Sequence, residues 1–256
     1  MQTEADSCLV LPQWPAPSMV HGLTTTRYAP GACSLGRYAA FNLALHTDDN
    51  MASVQANRHH LMALVRLPSA PVWLNQLHSN TVVHADKVSL SANVDADASV
   101  TRKAGTVCAV LTADCLPVFF CNRAGSEVAV AHAGWRGLLG GILEQTVLQM
   151  YAKPADLLVW FGPAIGPAAF EVREDVRQLF YHKNRQTALA FKKTDPGHYL
   201  CNIYQLATIL LKATGITAIY GDNLCTFTDA ARFYSYRRDG ETGRMASLIW
   251  LQPLST

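Results

Sequence analysis

The chain has 256 residues, 50% of them apolar and only 16% charged, with 21 Lys+Arg against 19 Asp+Glu for a net charge of +2. That length and apolar content suffice for one sizeable core, and the near-neutral balance excludes a polybasic nucleic-acid binder and an acidic disordered tail. Seven cysteines, an odd number with no Cys-x-x-Cys pair, read as free thiols in a reducing compartment rather than a disulfide scaffold.

In chain order, the uncharged stretch Ser7 to Thr26 is broken by Pro12, Pro15 and Pro17, so no membrane-spanning helix is expected. Glu4 and Asp6 stand where a secretory signal would be basic, and the apolar run Cys8–Pro12 is too short for one. The expectation is a cytoplasmic protein with neither membrane nor nucleic-acid partners. A first helix is predicted after Asp48-Asp49-Asn50, which offer capping and first-turn carboxylates. Met51, Val54, Leu61, Leu64 and Val65 recur there at helical spacing up to Pro68. Short strands are predicted over Pro71–Leu77 and Thr81–Ala85, around a Ser79-Asn80 turn. Thr106–Ala113 and Leu116–Cys121 read as strands buried on both faces. A strand over Glu127–Ala131 runs into Gly134 and one helix from Arg136 to Met150, with Leu138, Leu139, Ile142, Leu143, Val147 and Met150 as its apolar stripe. Beyond it come a strand over Leu157–Phe161, helices over Arg173–His182 and Asn202–Thr214 (the second stopped by Gly215), and strands over Ile216–Tyr220, Cys225–Phe227 and Arg244–Leu251. No repeat or linker divides the chain, so a single α+β domain over residues 1–256 is expected.

Three segments place soft or borderline ligands where strands end: Asn75-Gln76-Leu77-His78-Ser79, Thr112-Ala113-Asp114-Cys115-Leu116-Pro117 and Ala131-His132-Ala133-Gly134-Trp135-Arg136-Gly137. Singly, each has an ordinary structural account: a hydrogen-bonded histidine at a strand end, a small buried thiol. Together, two imidazoles and one thiolate make a three-ligand set with one position open, as a catalytic zinc requires, at spacings that match no finger or ribbon. Such a zinc makes water nucleophilic near neutral pH. Ala133-Gly134 would let a substrate approach, and the following helix N-terminus with Arg136 would suit an anion such as phosphate. A cation–π pair with Trp135 explains Arg136 equally well. Asp114 is expected to support structure rather than act as a base, because strand neighbours face opposite ways. Gly162-Pro163-Ala164-Ile165-Gly166 reads as a tight turn that could also shape a pocket wall. Arg237, Arg238 and Arg244 read as an arginine-rich turn paired or solvated at the surface, with binding of phosphate or a partner subunit as the alternative.

Seven strings carry a family resemblance: Asn42-Leu43-Ala44-Leu45-His46 with Asp48-Asp49; Asn57-Arg58; Gln76-Leu77-His78; Thr112 to Pro117; Ala131 to Gly137; Gly162 to Gly166 with Phe170-Glu171-Val172; and Tyr234 to Gly240 with Thr242 to Ala246. On them the chain resembles the YfiH/YlmD-like family, once described as laccase-like or multicopper polyphenol oxidases and now as purine nucleoside phosphorylases with adenosine deaminase activity. The one departure noted is Ser79, where glycine is frequent. The resemblance implies a fold of mixed sheets packed together with outer helices. It implies one zinc per chain on His78, Cys115 and His132, with catalysis by these three and Arg58. Substrate contacts would fall on Asn42, Gln76 and Arg136. The implied reactions are phosphorolysis of adenosine, inosine, guanosine and methylthioadenosine and deamination of adenosine, by a monomer or homodimer.

Other readings compete. A copper polyphenol oxidase would need many paired imidazoles, and the nine histidines include no His-x-His; a single blue copper would want an axial Met that no nearby residue offers. The cytidine-deaminase pattern of His-x-Glu with Pro-Cys-x-x-Cys is absent. Cys115 activated by His132 or His78 would instead make a metal-free hydrolase. The family link to editing of peptidoglycan precursors keeps a zinc or cysteine hydrolase open, and a metal-stabilised interaction domain is the non-enzymatic alternative.

Overall fold

Side chains alternate between the two faces of a strand, so a run that is apolar at every position needs a covering layer on both sides. The structure, a computed structural model describing residues 8–89, 94–221 and 224–253, supplies those layers; the acidic start at Glu4 and Asp6 lies outside the described residues. One sheet has the order β1-β2-β15-β7, built from β1 (Leu9–Val10), β2 (Val20–Thr25), β15 (Met245–Leu251) and β7 (Val107–Thr112), all antiparallel. A six-stranded mixed sheet has the order β14-β10-β8-β9-β6-β4. Its strands are β14 (Ala218–Gly221), β10 (Leu157–Phe161), β8 (Leu116–Asn122), β9 (Val128–Ala133), β6 (Ala98–Thr101) and β4 (Val82–His84). Two small sheets complete the set: parallel β3 (Leu74–Asn75) with β5 (Val94–Asp95), and β11 (Glu171–Arg173), β13 (His198–Cys201) and β12 (Phe191–Lys193).

The alternation sorts these residues into layers. Cys108, Val110, Phe119, Cys121, Val128, Val130, Leu158, Trp160 and Ile249 form the core between the two main sheets. On the outer face of the four-stranded sheet, Val107, Ala109, Leu111, Ala246 and Leu248 pack on Phe41, Leu43 and Leu61, the last from helix α1 (Met51–Leu64). On the outer face of the six-stranded sheet, Leu116, Val118, Phe120 and Val159 pack on Leu138, Ile142, Leu143, Phe180, Leu206 and Leu210. These come from α2 (Trp135–Gly140), α3 (Ile142–Gln149), α4 (Glu174–Lys183) and α5 (Ile203–Ala213). A short α6 spans Tyr236–Asp239. Each fully buried Val, Leu or Phe contributes about 1.5–3 kcal/mol, so the interior of this helix–sheet–sheet–helix stack dominates stability. It is the α+β arrangement of packed mixed sheets and outer helices that the sequence implied.

Several elements differ from the sequence expectation. The helix predicted over Arg136–Met150 is two helices, because Gly141 adopts a left-handed conformation (φ 91°) that ends α2 and starts α3. The apolar stripe survives the break. Asn50 caps α1, accepting from the Ser53 amide, but no carboxylate lies in the first turn. Asp49 turns back instead to accept from Ser34 Oγ and Asn42 Nδ2. Cys225–Phe227 forms no strand, only an isolated bridge between Cys225 and Ala164. Strands β2, β6 and β11–β13 were not expected, their polar or short sequences lacking a clear alternation. Among the described residues no helix is long and apolar enough to cross a membrane.

Candidate metal centre and cavity

Strand register brings the three ligand candidates together. In the β8–β9 pairing, Pro117 lies opposite His132 and Leu116 opposite Ala133, so Cys115, one residue before β8, comes up beside the His132–Gly134 corner. In the β6–β9 pairing, Ala98 lies opposite Ala131, which sets Asp97, one residue before β6, against His132; the His132 amide donates to the Asp97 carbonyl at 2.7 Å. Parallel pairing of Val82 with Ala98 lays the β3–β4 loop, with His78, along the same sheet end. Cys115 also sits where the chain crosses from one main sheet to the other. That corner is turned at Asp114 in a left-handed conformation (φ 92°), and the loop opposite is turned at His78 (φ 58°). Left-handed backbone at non-glycine residues costs roughly 1–3 kcal/mol and concentrates where function over-determines the chain.

The ligand atoms of His78, Cys115 and His132 all lie within 4.8 Å of one another, with Cys115 Sγ 3.7 Å from His78 Nε2. Among the described residues no other group of three such donors occurs. His132 is buried, Cys115 half-buried and His78 exposed, so the site has a closed back and an open front. His132 uses Nδ1 to bond Asp97 at 2.8 Å, which leaves Nε2 for a metal. Gly134 keeps the front clear, since a Cβ there would stand 2.9 Å from Cys115 Sγ and 2.8 Å from His78 Cδ2. One sulfur, two imidazole nitrogens and a cradle that any side chain would fill fit a small borderline metal ion. Burial alone would raise the Cys115 thiol and lower the His132 imidazole. Their mutual charge, with Asp97 beside His132, reverses both, holding Cys115 low and His132 high. Asp97, although buried, is held at about 2 by His132 and Ser79.

The triad opens into a cavity of about 510 Å³. Of the residues singled out from sequence, Gln76, His78, Cys115, His132 and Arg136 line it. Gln76 does so with its amide already committed, donating to the Leu111 carbonyl (2.8 Å) and accepting from the Leu111 amide (2.7 Å). Arg136 lies 4.4 Å over the Trp135 ring and also faces the cavity, so both accounts of it hold. Its helix, however, is only six residues long, which removes the extended anion-binding helix expected there.

Asn42 and Arg58 do not line the cavity. Asn42 is fully buried, its Nδ2 donating to Thr47 Oγ1 and Asp49 Oδ2 and its Oδ1 accepting from the amides of Ala44 and Arg244. It therefore ties the first loop to the last strand. Arg58 donates from Nε to the Leu43 carbonyl (2.8 Å) and stacks 4.1 Å over Trp73, where burial lowers its pKa to about 10.

Further residues line the cavity. Arg237 and Arg244, read as surface groups, both line it, whereas Arg238 is a loop clamp that donates to the carbonyls of Thr226, Phe227 and Phe233. His46 lines the wall, held below its ordinary pKa by burial and then by Arg244 and Arg58. Ile165 places the Gly162–Gly166 turn in the wall as well. Asp114 is structural: its carboxylate accepts from Thr226 Oγ1 (2.6 Å) and the Arg237 amide (2.7 Å). Asp97 was missed altogether. Its only signal is a carboxylate inside the small-apolar run Ala96-Asp97-Ala98-Ser99-Val100.

Comparison with known proteins finds similarity over nearly the whole chain. The family model described as multi-copper polyphenol oxidoreductase laccase matches residues 21–252. A Haemophilus influenzae protein named purine nucleoside phosphorylase is 48% identical over 94% of this chain and 98% of its own length. The Escherichia coli protein named purine nucleoside phosphorylase YfiH is 49% identical over 96% of this chain and 99% of its own. A crystal structure from Neisseria meningitidis, 46% identical, superposes with a TM-score of 0.92 over 96% of this chain and all of that one.

Proposed function

The chain belongs to the family described as multi-copper polyphenol oxidoreductase laccase, and from that membership we propose that it is a zinc-dependent purine nucleoside phosphorylase that also deaminates adenosine. The observation that carries this reading is the meeting of an open three-donor metal site with a cationic cavity of about 510 Å³, inside the size range of small-molecule sites. The naming of relatives at 48–49% identity supports the same substrate class. Copper oxidase chemistry is poorly supported. Among the described residues only His78 and His132 of the nine histidines join a donor group, and no methionine lines the cavity to serve as a weak axial ligand.

When bound to His78, Cys115 and His132, zinc would supply a Lewis acid and an activated water. The remaining steps fall to the chain's own residues. Arg136, Arg237 and Arg244 surround the cavity with positive charge. They face one carboxylate among the lining residues, Asp114, whose oxygens accept from Thr226 Oγ1 and the Arg237 amide rather than from a guanidinium, so three positive charges against one negative leave a net positive field for an incoming phosphate. Phe170, Tyr236, Ile165 and Ile203 offer an apolar wall for a purine. In phosphorolysis a phosphate oxygen bonds to the ribose anomeric carbon as the bond to the base nitrogen breaks, and the leaving base takes up the proton that the attacking dihydrogen phosphate gives up. His46, the neutral imidazole in the wall, could relay that proton, accepting it on one ring nitrogen and passing one on from the other. In deamination, water adds at C6 of adenine and ammonia departs, without phosphate. The substrates proposed are adenosine, inosine, guanosine and methylthioadenosine.

One arrangement favours a second reading. Cys115, His132 and Asp97 form a thiol–imidazole–carboxylate chain of the kind that activates a cysteine nucleophile, which would make the protein a metal-free hydrolase of amide substrates such as peptidoglycan precursors. Product analysis separates the two. The zinc-loaded protein incubated with adenosine should release adenine only with phosphate and form inosine without it, and chelation should abolish both. Amide hydrolysis that survives complete chelation, with neither purine product, would establish the hydrolase instead.

A further inference from the structure

We propose that Asp97 is the positioning residue of the metal centre, whose single carboxylate sets the tautomer of His132 and holds the left-handed turn of His78, so that two of the three ligands stand assembled before an ion arrives. The inference rests on the reading that the triad holds a metal. Asp97 is fully buried and its carboxylate accepts five hydrogen bonds. Oδ1 takes His132 Nδ1 at 2.8 Å and the His78 amide at 3.0 Å. Oδ2 takes the amides of Leu77 at 3.2 Å and Ser79 at 2.6 Å, and Ser79 Oγ at 2.7 Å.

Three successive amides converging on one anion form a nest, and the nest requires the positive φ found at His78. The carboxylate thus offsets the strain of that turn and aims the His78 side chain toward Cys115. At His132 it accepts from Nδ1, which keeps a proton on that nitrogen and makes Nε2 the one that gives up its proton when a metal binds. Neither ligand's own element does this. His78 lies in a loop exposed to solvent, and His132 could otherwise bind through either nitrogen.

The arrangement also explains why an isosteric amide would fail. Asparagine has one oxygen. With that oxygen toward His132, its NH2 group faces the amides of Leu77 and Ser79, which are donors themselves, and the turn keeps only the His78 amide of its three amide bonds. With the oxygen toward the turn, the NH2 group faces Nδ1 and drives the imidazole proton to Nε2, the atom meant for the metal.

The test titrates zinc into wild-type, Asp97→Asn and Ser79→Ala proteins against a chromophoric chelator. Nitrogen NMR of the zinc-loaded wild type reads the His132 tautomer in parallel. Asp97→Asn is expected to weaken zinc about ten- to hundredfold, and Ser79→Ala, which removes one of the five bonds, by less than about tenfold. The wild type should show a slowly exchanging proton on His132 Nδ1. Wild-type affinity in a folded Asp97→Asn variant, or a His132 proton on Nε2 in the zinc-loaded wild type, overturns the proposal. Should Asp97→Asn not fold, Ser79→Ala and the NMR measurement decide alone. Absence of zinc binding by the wild type itself would instead overturn the metal reading.

Discussion

Replacing Gly134 by alanine adds one methyl group at the most constrained point of the site. The backbone there is extended (φ −69°, ψ 164°), so alanine brings no conformational strain. What it brings is contact: its Cβ would stand 2.8 Å from His78 Cδ2, 2.9 Å from Cys115 Sγ and 3.3 Å from His78 Nε2. Ordinary van der Waals contact lies at 3.4–4 Å, so two ligand side chains must each retreat by about 0.5 Å or more, the limit within which a constellation keeps its geometry. We therefore expect zinc affinity to fall by at least about tenfold. Turnover with saturating metal should fall by up to about a hundredfold. The fold itself should lose little. Overpacking costs about 1–3 kcal/mol, while the reduced freedom of the unfolded chain returns about 0.4–1 kcal/mol. At about 2–4 °C per kcal/mol for a chain of this size, Tm should drop by less than about 10 °C. Chelator competition and a thermal melt on the same preparation separate the two effects. Wild-type zinc affinity and kinetics in Gly134→Ala would refute the inference that Gly134 keeps the front of the site clear.

Further outcomes follow from the same geometry. In the metal-free protein the mutual charge of Cys115 and His132, with Asp97 beside the imidazole, holds the thiol low and the imidazole high, so near neutral pH they pair as thiolate and imidazolium. Zinc must displace one proton from His132 there, and its apparent affinity should rise about tenfold per pH unit through the neutral range; equal affinity at pH 6 and 8 would contradict this. Arg58→Ala removes both the stack on Trp73 and the bond to Leu43, and should cost about 1–3 kcal/mol by chemical denaturation. Turnover should also fall if Arg58 acts in catalysis as the family resemblance implies, and unchanged kinetics in the folded variant would leave it a packing residue. Gly221 adopts φ 93°, and a Cβ there would collide with the Phe161 carbonyl, so Gly221→Ala should lose about 2–5 kcal/mol; a loss below about 1 kcal/mol would mean that the β10–β14 edge yields freely.

The sequence by itself determined what local chemistry determines. The apolar runs predicted over Thr106–Ala113 and Leu116–Cys121 demanded strands covered on both faces, and the structure buries every residue of Val107–Thr112 and Leu116–Asn122. Asn50, Asn202 and Gly215 marked helix ends because capping and left-handed backbone are properties of single residues. The triad of candidate ligands was legible too, because His78, Cys115 and His132 each sit in a distinctive string at a strand end. What only the tertiary structure decided was partnership across the sheets. Asp97 has no local mark of importance; it matters because β6 pairs with β9 on one side and β4 on the other, bringing its carboxylate to His132, 35 positions away in the chain, and to the His78 turn. Arg237 and Arg244 read as a surface turn until that segment folds over the cavity, while Asn42 and Arg58, placed in the site by resemblance, lie outside its lining. A side chain's identity sets what it can bond, but which neighbours compete for those bonds is set by register and layer packing, and these depend on contacts between residues far apart in sequence.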